Sequence, residues 1–260
     1  MVLLDLREAT GLPISLTEGG RLICDEGVKC EEVSERTPEQ VKPFLLDPNS
    51  VPDGGALYVM HRDVYAREHR EELLRAGLRY DITCIRPGIL GEEHVKTVGH
   101  YHPRKPGSDV TYPELYEVVC GQAIFLLQKP GGGAGDRIVR FIAVWAQTGD
   151  KVVVPPGFGH VTVNPGDTWL VLANWVARGF SSLYDEFRSL RGAAYYCLAG
   201  EPPALRKNDL YAAVPAPERL VGTQLWGLDL SPDRPIYTQF LESSERFRFL
   251  TRPEEVHWED

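Results

Sequence analysis

Two histidines separated by one residue, His100-Tyr101-His102, stand in a β-rich part of the chain. In an extended strand alternate side chains point to the same side, so both imidazoles can share one ion. His160 lies in PPGFGHVTVN, directly after a turn signal and at the head of a further apolar run. Neutral imidazoles are good ligands for first-row divalent metals, and a carboxylate would complete the set. Glu114 and Glu117 are the candidates within ELYEVV. Strand alternation puts them on opposite faces, so only one can join the histidines. Such a site can polarise a carbonyl oxygen as a Lewis acid. Without a metal, two inward histidines in a small barrel would be costly buried polar groups. The remaining histidines in apolar or helical surroundings, His61, His69, His94 and His257, read as partly exposed polar residues, and Glu117 as an outward surface acid.

The elements that must carry these residues are short. From Arg79 the sequence runs through YDITCIR, PGILG, EEHVKTVGHYH, ELYEVVC, AIFLLQK, RIVRFIAVWA, KVVVP, HVTV and TWLVLANWV, punctuated by glycine and proline. Evenly spaced short strands and turns over about 100 residues indicate an antiparallel sandwich or barrel. Gly131-Gly132-Gly133-Ala134-Gly135 reads as a hairpin loop, because no helix follows and no Gly-Lys-Ser/Thr closes it. Before this region, residues 1–55 carry turn signals (Gly19-Gly20, Pro48-Asn49, Pro52-Asp53-Gly54-Gly55) around short apolar runs, with a short helix at 38–46. VYAREHREELLRAGL, residues 64–78, has good helix formers and ends at a capping glycine, Gly77. It predicts a solvated helix. After Phe187 a strand is expected at 193–198, then a proline-rich stretch and a last section, PIYTQFLESSERFRFLTRPEEV, of hairpin character.

Composition narrows the partners. The 260 residues carry a formal charge of -9, which argues against attachment to nucleic acid or an anionic membrane. No stretch reaches the roughly 18 apolar residues that span a bilayer. The first residues, MVLLDLREATGLP, lack a basic segment leading into an apolar run, and the five cysteines are scattered with no C-x-x-C pair. A reducing, cytoplasmic setting is expected.

The second motif of the cupin superfamily, G-x5-P-x-G-x2-H-x3-N, is matched by Gly149, Pro155, Gly157, His160 and Asn164. The first, H-x-H, a short gap, E, six residues and G, is matched by His100, His102, Glu114 and Gly121, except that eleven residues, PRKPGSDVTYP, separate His102 from Glu114. The chain therefore resembles the cupins, and more narrowly the cupin-type phosphoglucose isomerases. The narrower likeness rests on PGILGEEHVKTVGHYHP, PELYEVVCGQAIFLLQ and VVVPPGFGHVTVNPGD, and extends over about residues 79–187. It implies an all-β cupin barrel (double-stranded β-helix or jelly roll) with a few peripheral helices. Residues 1–211 would form the cupin domain with its lead-in strands, and 212–260 a C-terminal extension packed on the barrel.

The resemblance also implies interconversion of glucose 6-phosphate and fructose 6-phosphate. A divalent ion, Fe2+ first and Mn2+, Ni2+ or Zn2+ next, would be held by His100, His102, Glu114 and His160. By position, Thr83, Thr97 and the backbone of Gly99 would hold the phosphate, with Tyr58 as a further substrate contact. Glu114 would move the proton, assisted by Tyr116 or Tyr184 in ring opening. A homodimer is expected from the same likeness. Trp175 falls where the family often has tyrosine, and Ser181 and Ser182 fall about where some members have a phosphate-facing histidine. The same donor set also suits an iron-dependent cupin dioxygenase, and a non-catalytic sugar-binding cupin is a third possibility.

Overall fold

A computed structural model describes residues 1–51, 54–132 and 135–258. Pro52 and Asp53 of one expected turn, and Gly133 and Ala134 of the glycine-rich loop, lie outside the described residues. The strands that flank that loop, Gln122–Pro130 and Ile138–Gln147, pair antiparallel along their length.

One six-stranded sheet organises the molecule. Its order is Lys151–Val154, Glu114–Cys120, Leu170–Ala177, Leu78–Ile85, Tyr58–Ala66 and Val28–Arg36, every neighbour antiparallel. Opposite it lies a four-stranded sheet of Gly159–Val163, Gln122–Pro130, Ile138–Gln147 and, added in parallel, Glu218–Val221. Side chains from the inner faces, among them Met60, Val118, Leu172, Leu126, Phe141 and Val161, form one core between the sheets. This is a cupin jelly roll, as the strand spacing and the two motifs lead one to expect.

The outer face of the six-stranded sheet carries a second core. Tyr80, Ile82, Leu115, Val153 and Trp175 point there and are covered by Ile236, Tyr237, Phe240, Phe247 and Leu250 of the C-terminal segment, with Leu12, Ile14 and Leu16 of the N-terminal segment. Burial on both faces accounts for the apolar reading of LVLANWVA, interrupted only at Asn174: all eight residues of Leu170–Ala177 are buried. The tail does this with a helix, Ile236–Glu242, and 3-10 turns at Ser244–Leu250 and Pro253–Glu255, not with the expected hairpin. Its aromatic residues have strand propensity, but docking one apolar face onto Trp175 decides the outcome.

The same cover corrects the reading of Glu117. It does face away from Glu114, but that face is not solvent. Glu117 is buried, pairs with buried Lys151 at 3.0 Å and accepts a hydrogen bond from the backbone N–H of Ile236 at 2.9 Å. Lys151 donates in turn to the carbonyls of Gly149 and Pro232. A buried ion pair persists only when its remaining donors and acceptors are satisfied, and the tail supplies two of these three partners, Pro232 and Ile236.

The expected 64–78 helix is shorter. Strand Tyr58–Ala66 takes its first residues, a 3-10 turn follows at Arg67–His69, and the helix is Arg70–Ala76, closed by left-handed Gly77 at φ 68°. The short helix near residue 38 is present as Pro38–Val41, continued by a 3-10 turn at Lys42–Phe44.

His61 and His94 are buried, against the expectation of partial exposure. His61 sits on the outer face of its strand, where Leu22 of the N-terminal hairpin donates its N–H to the Nε2 at 3.1 Å. Burial lowers its pKa from 6.5 to about 4, since a charged imidazole there would lose hydration and its acceptor role. With the folded value depressed, the stabilisation is full above pH 6.5 and is lost as the pH falls towards 4. Urea unfolding at pH 7.5 and at pH 4.5 should therefore differ by about 2 to 3 kcal/mol through this residue alone. The His61→Gln variant should remove that part of the pH slope; an unchanged slope would rule His61 out as its source.

Candidate metal centre

Glu114 opens its strand and points inward; across the neighbouring strand it is level with Val176, which in turn is level with Arg79. His160 is the second residue of the strand Gly159–Val163 of the facing sheet. His100 is bridged to it backbone to backbone, as an isolated antiparallel pair. The segment bearing His100 and His102 is thus extended and bridged, without being part of a long ladder. The sharing of one side by alternate residues survives, because it depends on extended backbone and not on regular pairing.

The four side chains converge. Ligand atoms of His100, His102, Glu114 and His160 lie within 4.8 Å of one another. Glu114 Oε2 is 3.3 Å from the Nε2 of His102 and of His160. His102 Nδ1 lies 2.9 Å from the carbonyl oxygen of Tyr112. As a donor there, it leaves the Nε2 lone pair directed at the carboxylate side. Asn174 donates from Nδ2 to Glu114 Oε1 at 2.6 Å, fixing the other carboxylate oxygen.

The protonation states suit a cation. Burial first, then the neighbouring His160 and His102, hold His100 well below the ordinary imidazole value, and burial also lowers His160. Burial pushes the Glu114 carboxyl up, but its contacts with His102 and His160 outweigh this and hold it well below the usual carboxylate range. Neutral imidazoles and an ionised carboxylate are the ligating forms. Glu114 Oε2 and the Nδ1 atoms of His100 and His160 are buried with no hydrogen-bond partner among the described residues. Such orphaned atoms are costly, and a divalent ion among three imidazoles and a carboxylate would satisfy the orphaned carboxylate oxygen. The residues fit a metal.

One cavity opens on this cluster. Of the residues expected to touch substrate or to act in catalysis, Tyr58, Thr83, Thr97, Tyr116 and Tyr184 all line it, together with His100, His102 and Glu114. Ser182 lines it as well, whereas Trp175 faces the opposite side of the sheet. Gly99 is not among the lining residues; a Cβ there would come within 2.1 Å of the Phe187 ring, so packing alone requires glycine. Tyr58 accepts from the N–H of Val98 at 3.2 Å, and burial pushes its phenol up to about 12. Tyr116 lies 3.1 Å from His160 Nε2, and burial, then the Glu114 charge, keep its phenol protonated.

Sequence reasoning did not single out Asn174, Phe180, Arg62, Arg79 or Asp81, which line the same cavity. Asn174 is the one polar residue in LVLANWV, an oddity that could have marked it. The Asn174→Ala variant should bind a divalent ion about 10- to 100-fold more weakly, since the orientation of Glu114 is lost. Competition against a chromogenic chelator measures this, and an affinity within twofold of the parent would remove Asn174 from the centre.

The region that carries this cluster is similar to known proteins. Residues 42–213, well over half of the chain and including all four candidate ligands, match the family model of glucose-6-phosphate isomerase (GPI). The glucose-6-phosphate isomerase of Thermococcus litoralis is 37% identical over 105 residues, 40% of this chain and 48% of its own length. That of Pyrococcus abyssi shows the same identity over the same shares. The matched stretch thus spans about half the length of these curated relatives. Among solved structures, the vicilin from Solanum melongena matches 52% of this chain and 33% of its own, at 16% identity and a TM-score of 0.37. On the family match and the motif residues it contains, this chain belongs to the cupin-type glucose-6-phosphate isomerase family.

Proposed function

We propose that this protein is a metal-dependent aldose-ketose isomerase that interconverts glucose 6-phosphate and fructose 6-phosphate. The observation that supports this most is the convergence of three imidazoles and the half-unpartnered Glu114 carboxylate on a cavity also lined by Tyr58, Thr83 and Thr97. A bound divalent ion, iron(II) by resemblance and otherwise manganese, nickel or zinc, would polarise the sugar carbonyl.

The chain's own groups do the rest. Hydrogen moves between C1 and C2 either by a metal-assisted hydride shift or through an enediol; the enediol route needs a base, and the Glu114 carboxylate is ionised, buried and held by Asn174 on one oxygen. It accepts the proton and returns it on the neighbouring carbon through an enediol. Tyr116, a protonated phenol beside His160, and Tyr184, whose ring lies 5.4 Å from that of His100, assist ring opening. The hydroxyls of Thr83 and Thr97 serve the phosphate. Residues 1–211 are taken as the cupin unit and 212–260 as its extension. The working form is taken as a cytoplasmic homodimer.

A coupled assay of fructose 6-phosphate conversion on apo protein reconstituted with separate metals tests the proposal, beside a His100→Ala, His102→Ala double variant. Metal-dependent turnover lost in the double variant is expected; its absence from the parent protein with every metal ends the isomerase reading. In deuterated water, deuterium in the product is expected of the enediol route.

A further inference from the structure

The pocket holds a cationic group that neither motif contains. Arg79 and Asp81 lie on the inner face of strand Leu78–Ile85 with Thr83, and Arg62 is on the adjacent strand. Arg62 Nη1 donates to Asp81 Oδ2 at 3.0 Å, and Arg79 Nε reaches both oxygens of Asp81 at 2.9 and 3.0 Å. Asp81 is further fixed by the N–H of Asp63 at 2.9 Å. One buried carboxylate thus orients two guanidinium groups that line the cavity. The hydrogen bonds of Arg79 run through Nε alone among the described residues, which leaves both Nη groups for another acceptor.

We propose that Arg79, seconded by Arg62, is the charged arm of the phosphate subsite and the determinant that selects phosphorylated over neutral sugars. This rests on the isomerase reading and deepens it. Threonine and tyrosine hydroxyls offer neutral hydrogen bonds, but a phosphate dianion taken out of water also needs countercharge. The charged residues lining the pocket are Arg62, Arg79, Asp81 and Glu114, which cancel. A divalent ion on the histidine cluster then leaves two positive charges, the complement of a phosphate dianion. The placement fits as well. Arg79 and Glu114 are both level with Val176 on the strand between them, so their Cα atoms are two strand spacings apart, about 10 Å. Arg79 and Thr83 stand four residues apart on the same face of their strand, about 13 Å between Cα atoms, and the bonds of Arg79 Nε to Asp81, midway between them, bring the guanidinium into that gap; the reacting carbons would lie at Glu114 and the phosphate between Arg79 and Thr83. An arginine's planar fork suits a phosphate better than an ammonium does.

Calorimetric titration of the full, metal-loaded chain with inorganic phosphate decides this, on the parent protein and on Arg79→Gln and Arg79→Lys. Arg79→Gln should weaken phosphate binding about 30-fold, and Arg79→Lys by less, because the charge is kept. For fructose 6-phosphate, KM should rise by a similar factor while kcat changes less than threefold. Metal stoichiometry and melting temperature report whether each variant is folded. Failure of the parent to bind phosphate, or an affinity within twofold in folded Arg79→Gln, overturns the proposal even if isomerisation is observed. Loss of phosphate binding in a chain that isomerises nothing upholds the anion subsite and rejects only the isomerase reading.

Discussion

Replacing Glu114 by glutamine should reduce sugar-phosphate turnover about 1,000-fold or more, because in the proposed mechanism one residue serves as both metal ligand and proton acceptor. The substitution keeps the size of the side chain and removes its charge and its basicity. Oε2, with no hydrogen-bond partner among the described residues, becomes an amide or a neutral carbonyl facing two imidazole Nε2 atoms at 3.3 Å. Metal affinity should fall along with kcat, so the assay is run at saturating metal and metal content is measured beside it. Turnover within tenfold of the parent at full occupancy would remove Glu114 from the chemistry.

The second large effect is on stability. Trp175→Ala should cost about 4 kcal/mol, the size expected when a fully buried tryptophan leaves a cavity that cannot collapse. Trp175 packs against Phe240 at 4.4 Å and Tyr80 at 5.0 Å between ring centroids, stacks on Tyr237 at an interplanar angle of 13°, and donates its indole N–H to the carbonyl of Ile236 at 3.2 Å. All but Tyr80 belong to the C-terminal segment, so the variant should also become sensitive to proteolysis between 236 and 258. Since Trp175 points away from the metal cavity, the folded fraction should keep its kcat. A urea midpoint shift equivalent to less than 1 kcal/mol, or a tail as protease-resistant as before, would show that the segment is held by other contacts.

These two residues also mark where the sequence could be read and where it could not. The candidate ligand cluster was legible because period-two spacing marks His100 and His102, a turn followed by a strand marks His160, and the resemblance to the first cupin motif, through its distance to Gly121, singles out Glu114. The barrel strands were legible for the same reason. Glu117 and His61 misled because nothing within their own strands shows that the chain's two ends will cover that face. Residues 64–66 misled because VYA precedes strong helix formers, while its membership of a strand is decided by pairing with residues 28–36. Asn174 and Arg79 needed the register of three strands before either could be placed beside Glu114. Local periodicity carries ligands that share a segment; it does not carry groups that meet across a sheet.

The eleven residues between His102 and Glu114 are not a free loop. Thr111 accepts the N–H of Gly157 at 2.6 Å, Tyr112 stacks on Phe180 and receives His102, and Lys105 is ion-paired with Glu254 near the chain's end. The segment that steers one metal ligand is therefore braced against the tail that roofs the opposite face of the sheet. The widened gap of the first motif and the C-terminal segment thus meet at one ion pair, so a charge lost at Lys105 or at Glu254 reaches both.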